Sequence, residues 1–266
     1  MQLPHLFAFL VAISLLLIAG VLLKRCSQRR RALLAAFPAS WLAIIRQNIP
    51  PYSKLSPEAQ QQVQDYTQEF LYDKNFEGCG GLVLDDEIRV TIAAQASLLL
   101  LNRKIRCYPR LYSVLVYPSA YVAKGEGDER SVRLGESWRT GAVVLAWDSA
   151  KHGAANFADG RNLVIHEFAH QLDQEDGSSD GAPILAGRSS YTAWARVLSR
   201  EYERLRKRVD KGKKSVIDAY GASHPAEFFA VASEAFFEKP RQLRSKHPEL
   251  YGELQRFYEV DPQEWA

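Results

Sequence analysis

VIHEFAHQLDQEDG, Val164–Gly177, holds two of the chain's six histidines four residues apart, with a glutamate directly after the first. On a helix, positions i and i+4 share a face, and their Cβ atoms lie about 5–6 Å apart. Two imidazole nitrogens at that spacing can converge on one divalent cation, whereas an i, i+2 pair would point apart. Glu167 is one step further round the helix. It is badly placed as a ligand and well placed to take a proton from water at the metal's open position. The other faces carry Val164, Ile165, Phe168, Ala169 and Leu172, so the three ionisable groups are expected to be buried together. Burial without a partner would be costly. HExxH alone recurs by chance in unrelated helices; this apolar setting and the acids downstream favour a zinc site that hydrolyses peptide bonds.

A third ligand must come from elsewhere in the chain. A third histidine at the spacing HExxHxxGxxH is missing, because Asp173 and Asp176 occupy that stretch. HPAEFFAVASEAFFEKP, residues 224–240, reads as a helix starting near Pro225 and stopping at Pro240. It offers Glu227 and Glu234, two turns apart on one face. Glu227 has a competing task as a first-turn acid behind a Ser223 or His224 cap. Periodicity alone leans only slightly to Glu227. His224 and His152 are further candidates for the ligand set or its surroundings, and Asp173 for the outer shell.

Around this helix the chain reads as a mostly helical α+β body. SPEAQQQVQDYTQEFLYDKNF, from Ser56, has a capping serine, a proline at the first helical position, and Val63, Tyr66, Phe70 and Leu71 at helical spacing. EIRVTIAAQASLLLLN, from Glu87, is apolar nearly all round and reads as a buried helix. LYSVLVYP and GAVVLAW read as strands, with GESWRTG as a turn-rich lead-in to the second. The edge of the second strand, Ala142–Trp147, is the expected docking line for an extended peptide. The basic run Arg204–Lys214 is interrupted by Asp210 and reads as a solvated face.

The N-terminus is of another kind. LFAFLVAISLLLIAGVLL, Leu6–Leu23, has Ser14 as its only polar side chain. Eighteen residues at about 1.5 Å each reach roughly 27 Å, close to a bilayer's hydrocarbon core. No Lys or Arg precedes the run, and KRCSQRRR follows it, the reverse of a cleaved signal. The expectation is a single-pass inner-membrane anchor over residues 1–32, with the basic flank and a domain over residues 33–266 in the cytoplasm. Residues 1–57 hold seven Lys and Arg and no acid, so the overall +3 becomes −4 (3 − 7) for the remainder. A mildly acidic body argues against nucleic acid as a partner. Cys26, Cys79 and Cys107 are dispersed and odd in number, which excludes a disulfide framework and a cysteine zinc site.

HEFAHQLDQEDG followed by IDAYGASHPAEFFAVASEAFFEKP resembles the Mlc titration factor A family of zinc metallopeptidases. FEGCGGLVLDDEIRVTIAAQASLLL and GESWRTGAVVLAWDSAKHG extend the likeness, which runs from about Leu33 to the C-terminus. AYGASHPAEFFA more distantly resembles the lethal factor protease of anthrax toxin. The resemblance implies a zincin-like fold of gluzincin type with one Zn²⁺ per chain, held by His166, His170 and Glu227. It implies Glu167 as the catalytic base and Tyr220 as a donor to the reacting oxyanion. It implies a peptide or protein substrate, aminopeptidase-type cleavage and, as an alternative function, binding of a transcriptional repressor. Members of that family are mostly soluble and cytosolic, so the apolar N-terminus is a departure, and a soluble cytoplasmic location is the alternative.

Overall fold

The computed structural model of the chain describes residues 19–20, 23–24, 27–103, 107–124, 130–138 and 140–265. The chain divides into two compact units, Met1–Phe37 and Pro38–Ala266. In the first, residues 19–20, 23–24 and 27–34 are helical. The expected span Leu6–Leu23 lies outside the described residues except for Ala19, Gly20 and Leu23, as does Cys26. Among the described residues no helix is long and apolar enough to cross a membrane.

The second unit begins with α1 (Ala39–Asn48) and α2 (Pro57–Asp73), joined by a 3-10 turn at Pro50–Lys54. The two prolines end α1 because neither can donate a helical hydrogen bond. Ser56 caps α2, its hydroxyl accepting from the Ala59 amide at 3.2 Å. Next come β1 (Asn75–Gly78) and α3 (Asp86–Leu98), the second of which is buried at every position from Val90 to Leu98. This matches a sequence apolar nearly all round. Asp85 accepts from the Ile88 amide and closes the first turn of α3.

β2 (Ser113–Tyr117), β3 (Tyr121–Lys124), β4 (Arg130–Arg133), β5 (Gly135–Trp138) and β6 (Ala142–Ala146) follow. The main sheet runs β1-β2-β6-β5, and β3 and β4 pair separately as a hairpin. β2 lies parallel to both β1 and β6, in register from Ser113 opposite Ala142 to Tyr117 opposite Ala146. β5 closes the sheet antiparallel to β6, Gly135 facing Leu145 and Trp138 facing Ala142. Two expectations are corrected here. Ala142–Trp147 is an interior strand, flanked by β2 and β5, and Trp147 already begins a helix. GESWRTG is not merely a turn, since four of its residues form the edge strand. Its glycines and serine signal a turn locally, but β6 supplies ladder partners from beyond Gly141, and that non-local pairing overrides local propensity.

Among the described residues six α-helices follow: α4 (Trp147–Ala155), α5 (Leu163–Asp173), α6 (Arg188–Asp210), α7 (Pro225–Glu238), α8 (Pro240–Lys246) and α9 (Pro248–Tyr258). α5 is the HExxH helix, and it packs against α7 and β5. Its apolar face inserts Phe168 between Phe70 of α2, ring centroids 5.5 Å apart, and Tyr108, 4.9 Å apart. A second aromatic cluster, Trp194, Phe229, Phe257 and Tyr258, fixes α7 against α6 and α9. Burying each such ring contributes about 1.5–3 kcal/mol.

The loop ahead of α5 is tied down by a carboxylate of α7. Glu238 is 5% exposed, and its Oε2 accepts from the Gly160 amide at 2.7 Å and the Arg161 amide at 3.0 Å. Its Oε1 is buried without a hydrogen-bond partner. Burial, aided by repulsion from Asp159 and Glu234, pushes its carboxyl up from 4.5 to about 8. An acid whose pKa is raised on folding stabilises the protonated fold. Stability is therefore greatest below the ordinary value and falls as the pH climbs from 4.5 to about 8. Glu238→Gln keeps an acceptor for both amides and carries no charge to bury. Thermal melts between pH 5 and pH 8.5 should show the variant gaining on wild type as the pH rises, by roughly 4 kcal/mol at the alkaline end. A wild-type advantage that is the same at every pH would refute the assignment of this slope to Glu238.

Candidate metal centre

Asn162 starts α5. Its Oδ1 accepts from the Ile165 amide at 3.0 Å, and its Nδ2 donates to the Gly153 carbonyl at 3.0 Å, which fixes the helix start against α4. One turn later His166 and His170 project on the same face, ring centroids 4.9 Å apart and nearly perpendicular. α7 approaches with its N-terminus. His224 is its cap, Nδ1 accepting from the Ala226 amide at 3.2 Å, and Pro225 takes the first helical position. That leaves Glu227 in the first turn, free of capping duty and aimed at the histidines.

Glu227 Oε2 lies 3.1 Å from His166 Nε2 and 3.3 Å from His170 Nε2. Ligand atoms on a tetrahedral cation with bonds of about 2.0–2.1 Å stand roughly 3.3–3.4 Å apart, so the observed separations fit the edges of such a polyhedron. The donor set, two imidazoles and one carboxylate, suits zinc and leaves a coordination position open. Among the described residues no other group of three His, Cys, Asp or Glu side chains converges in this way. Burial opposes its charge, but the hydrogen bonds with both histidines hold the Glu227 carboxyl far below the usual range. Likewise burial would lower the pKa of His166, and its contacts with Glu227 and Glu234 outweigh this and raise it.

Glu234 approaches the opposite side of the same ring. Its Oε1 lies 2.8 Å from His166 Nδ1, and its Oε2 accepts from the Asn162 amide at 2.6 Å. The two glutamates left open by periodicity thus take different faces of His166.

Glu167 lies between this group and β5 and feels the charges of His166, Glu227 and Glu234. It is 5% exposed, and burial, then the nearby carboxylates of Glu227 and Glu234, push it up to about 8. Gly135 lies directly over it: a Cβ built there would sit 2.5 Å from Glu167 Oε1 and 2.7 Å from Leu163 Cδ1. Only a glycine lets the edge strand come this close. Sequence reasoning missed Gly135, and its one signal was a glycine at the head of GESW. The strand is also held to α5 by side chains, with Gln171 Nε2 donating to Ser137 Oγ at 2.6 Å and Ser137 Oγ to Gln174 Oε1 at 3.3 Å.

Tyr220 arrives on the 3-10 turn Ala219–Ala222, which Asp218 caps through the Tyr220 amide at 2.9 Å. Gly221 lets that turn press onto α7, since a Cβ there would be 2.4 Å from Val231 Cγ2. The Tyr220 ring is 6.0 Å from the His166 ring and 58% exposed. Partial burial, then Glu227 and Glu167, raise its pKa, so it stays a donor.

The remaining candidates lie outside the converging group. His152 is on α4, 3.4 Å from Asp159, and His224 is spent as a cap. Asp173 is fully buried, its Oδ2 accepting from the Gly181 amide at 3.0 Å, and burial pushes it up to about 6. It anchors the loop after α5.

The model of the glucose-regulated metallo-peptidase family M90 matches residues 23–259. The chain belongs to this family. This M90 chain is 42% identical over 234 residues to an uncharacterized protein, slr2042, of Synechocystis sp., covering 85% of each chain. It is 32% identical over 226 residues to Mlc titration factor A of Yersinia pestis (strain Pestoides F), covering 81% of this chain and 83% of that protein. Mlc titration factor A of Yersinia pseudotuberculosis (serotype O:1b) gives the same figures. At the level of the family, the M90 chain is a metallopeptidase.

Proposed function

We propose that this M90 chain is a zinc-dependent peptidase whose metal is held by His166, His170 and Glu227. The observation that carries the reading is one carboxylate oxygen within 3.1 and 3.3 Å of two imidazole Nε2 atoms from a single helical turn. Zinc bound there supplies a Lewis acid, lowering the pKa of water towards about 7 and polarising a carbonyl.

Glu167 is the general base and then the general acid. Its carboxylate takes the proton of the attacking water and returns it to the amine that leaves. A dication held by His166, His170 and Glu227 would lower the Glu167 pKa and favour its ionised, proton-accepting form. Tyr220 donates a hydrogen bond to the carbonyl oxygen as negative charge builds on it. The peptide lies extended along β5, the edge strand of the sheet among the described residues, where Gly135 lies over Glu167. An aminopeptidase action fits this arrangement when the substrate's N-terminus lies next to the metal.

Tyr220→Phe isolates one of these roles. The ring stays and the hydroxyl goes, so kcat should fall about 10²-fold, with KM and zinc content little changed. A change confined to KM would assign the phenol to substrate binding.

A second reading has a single support, the name Mlc titration factor A carried by the relatives. In it the centre shapes a surface that sequesters a regulatory protein, such as a transcriptional repressor. A buried glutamate beside an open coordination position favours the peptidase, because a structural zinc site is ordinarily closed by a fourth ligand. Metal quantification coupled to a peptide-library digest, wild type against Glu167→Gln, separates the two. One zinc per chain with cleavage lost in the variant supports the peptidase. Zinc with no cleavage by wild type supports the binding protein.

A further inference from the structure

Glu234 faces two donors with two oxygens. Oε1 meets His166 Nδ1 at 2.8 Å, and Oε2 meets the Asn162 amide at 2.6 Å. Asn162 is the residue that starts the helix on which His166 stands. One buried carboxylate, 6% exposed, therefore spans a ligand histidine and the origin of its helix. His170 has no such support, as its Nδ1 is buried without a hydrogen-bond partner. The two histidines are alike in the sequence and unequal in the fold.

We propose that Glu234 is the positioning residue of the metal centre. It keeps the proton of His166 on Nδ1, presents the Nε2 lone pair to the cation beside Glu227 and His170, and holds that ring in register with the start of α5. A ligating imidazole keeps one proton, and the partner of its other nitrogen decides where that proton sits and where the ring points. Glutamate is suited to this place because it accepts at both ends. Glutamine accepts at one end and donates at the other. Facing two N–H groups, glutamine satisfies one and confronts the other with its own N–H. If its oxygen serves the Asn162 amide, its NH2 group faces His166 Nδ1 and favours the tautomer with the proton on Nε2, which cannot bind metal. Aspartate keeps the charge but is one methylene too short to reach both donors. Glu238, four residues further along the same helix and equally buried, accepts from the Gly160 and Arg161 amides and also interacts with the Asn162 side chain, but the histidine contact belongs to Glu234. It is the natural control.

This inference rests on the zinc reading of the site, and the test keeps the two apart. Zinc affinity of the full chain is measured by chelator competition for wild type, Glu234→Gln, Glu234→Asp and Glu238→Gln. Imidazole ¹⁵N spectra of the zinc-loaded proteins report which nitrogen of His166 carries the proton. Glu234→Gln should weaken zinc binding 10–100-fold and change the His166 nitrogen resonances. Glu234→Asp should weaken it by a smaller factor, and it serves as the measurement should the glutamine variant fail to fold. Glu238→Gln should stay within about twofold of wild type, since it leaves His166 untouched. Wild-type affinity and an unchanged His166 spectrum in both Glu234 variants would overturn the positioning role while leaving the zinc reading intact. A wild-type chain that binds no zinc would overturn both. An equal loss in Glu238→Gln would reduce Glu234 to a general packing role and overturn the proposal.

Discussion

Glu167→Gln should lower peptide hydrolysis by about 10²–10⁴-fold, the range a positioned acid–base group contributes, while zinc content stays at one per chain. The substitution is nearly isosteric, so the contact beneath Gly135 survives, and Glu167 touches neither imidazole as a ligand. What it removes is the capacity to accept and return a proton. The metal-free fold should gain slightly, because an acid that burial pushes up to about 8 is replaced by a neutral amide. The informative combination is therefore unchanged zinc, unchanged or higher melting temperature, and lost turnover. Hydrolysis at the wild-type rate by Glu167→Gln would show that another group handles the proton. Loss of zinc together with activity would mean that Glu167 belongs to the ligand set. Inductively coupled plasma analysis and a fluorogenic peptide assay on the same preparation distinguish these cases.

Phe168→Ala should destabilise the fold by about 3–5 kcal/mol, among the largest effects available from one core position. The ring is completely buried and packs on Phe70 and Tyr108, whose own rings are 6.1 Å apart. Those neighbours come from α2 and from the segment before β2, so they cannot collapse into the space without moving separate elements. The residue stands between Glu167 and Ala169 on the helix of the metal centre, yet it faces the other way. Urea melts should show the loss in both metal-free and zinc-loaded protein, with the molecules that remain folded binding zinc at one per chain. A loss under 1 kcal/mol would mean that the α2–α5 contact is not a principal support of the site.

How much of this was legible before the fold was known depends on the distance over which each feature is specified. The paired histidines and their glutamate are a one-turn pattern, and backbone geometry alone places them on one side of a helix. The cap at Ser56, the nearly all-round apolar helix Asp86–Leu98, which stops four residues before the expected Asn102, and the strand Ser113–Tyr117 are equally local. GESW failed for the converse reason. Its residues carry turn signals, and only β6 across the sheet makes them a strand.

Glu227 and Glu234 mark the limit most clearly. They are seven residues apart on one helix face, with the same charge and the same reach, and no periodicity separates them. The sequence alone dictated which residue types meet, because an i, i+4 pair of imidazoles with an adjacent acid follows from the pitch of a helix. Only the tertiary structure decided which glutamate faces the Nε2 atoms, which takes the Nδ1 side, and which strand lies over Glu167. Those choices depend on how α7 crosses α5 and on a glycine at position 135, and crossing geometry is set by packing between segments some sixty residues apart.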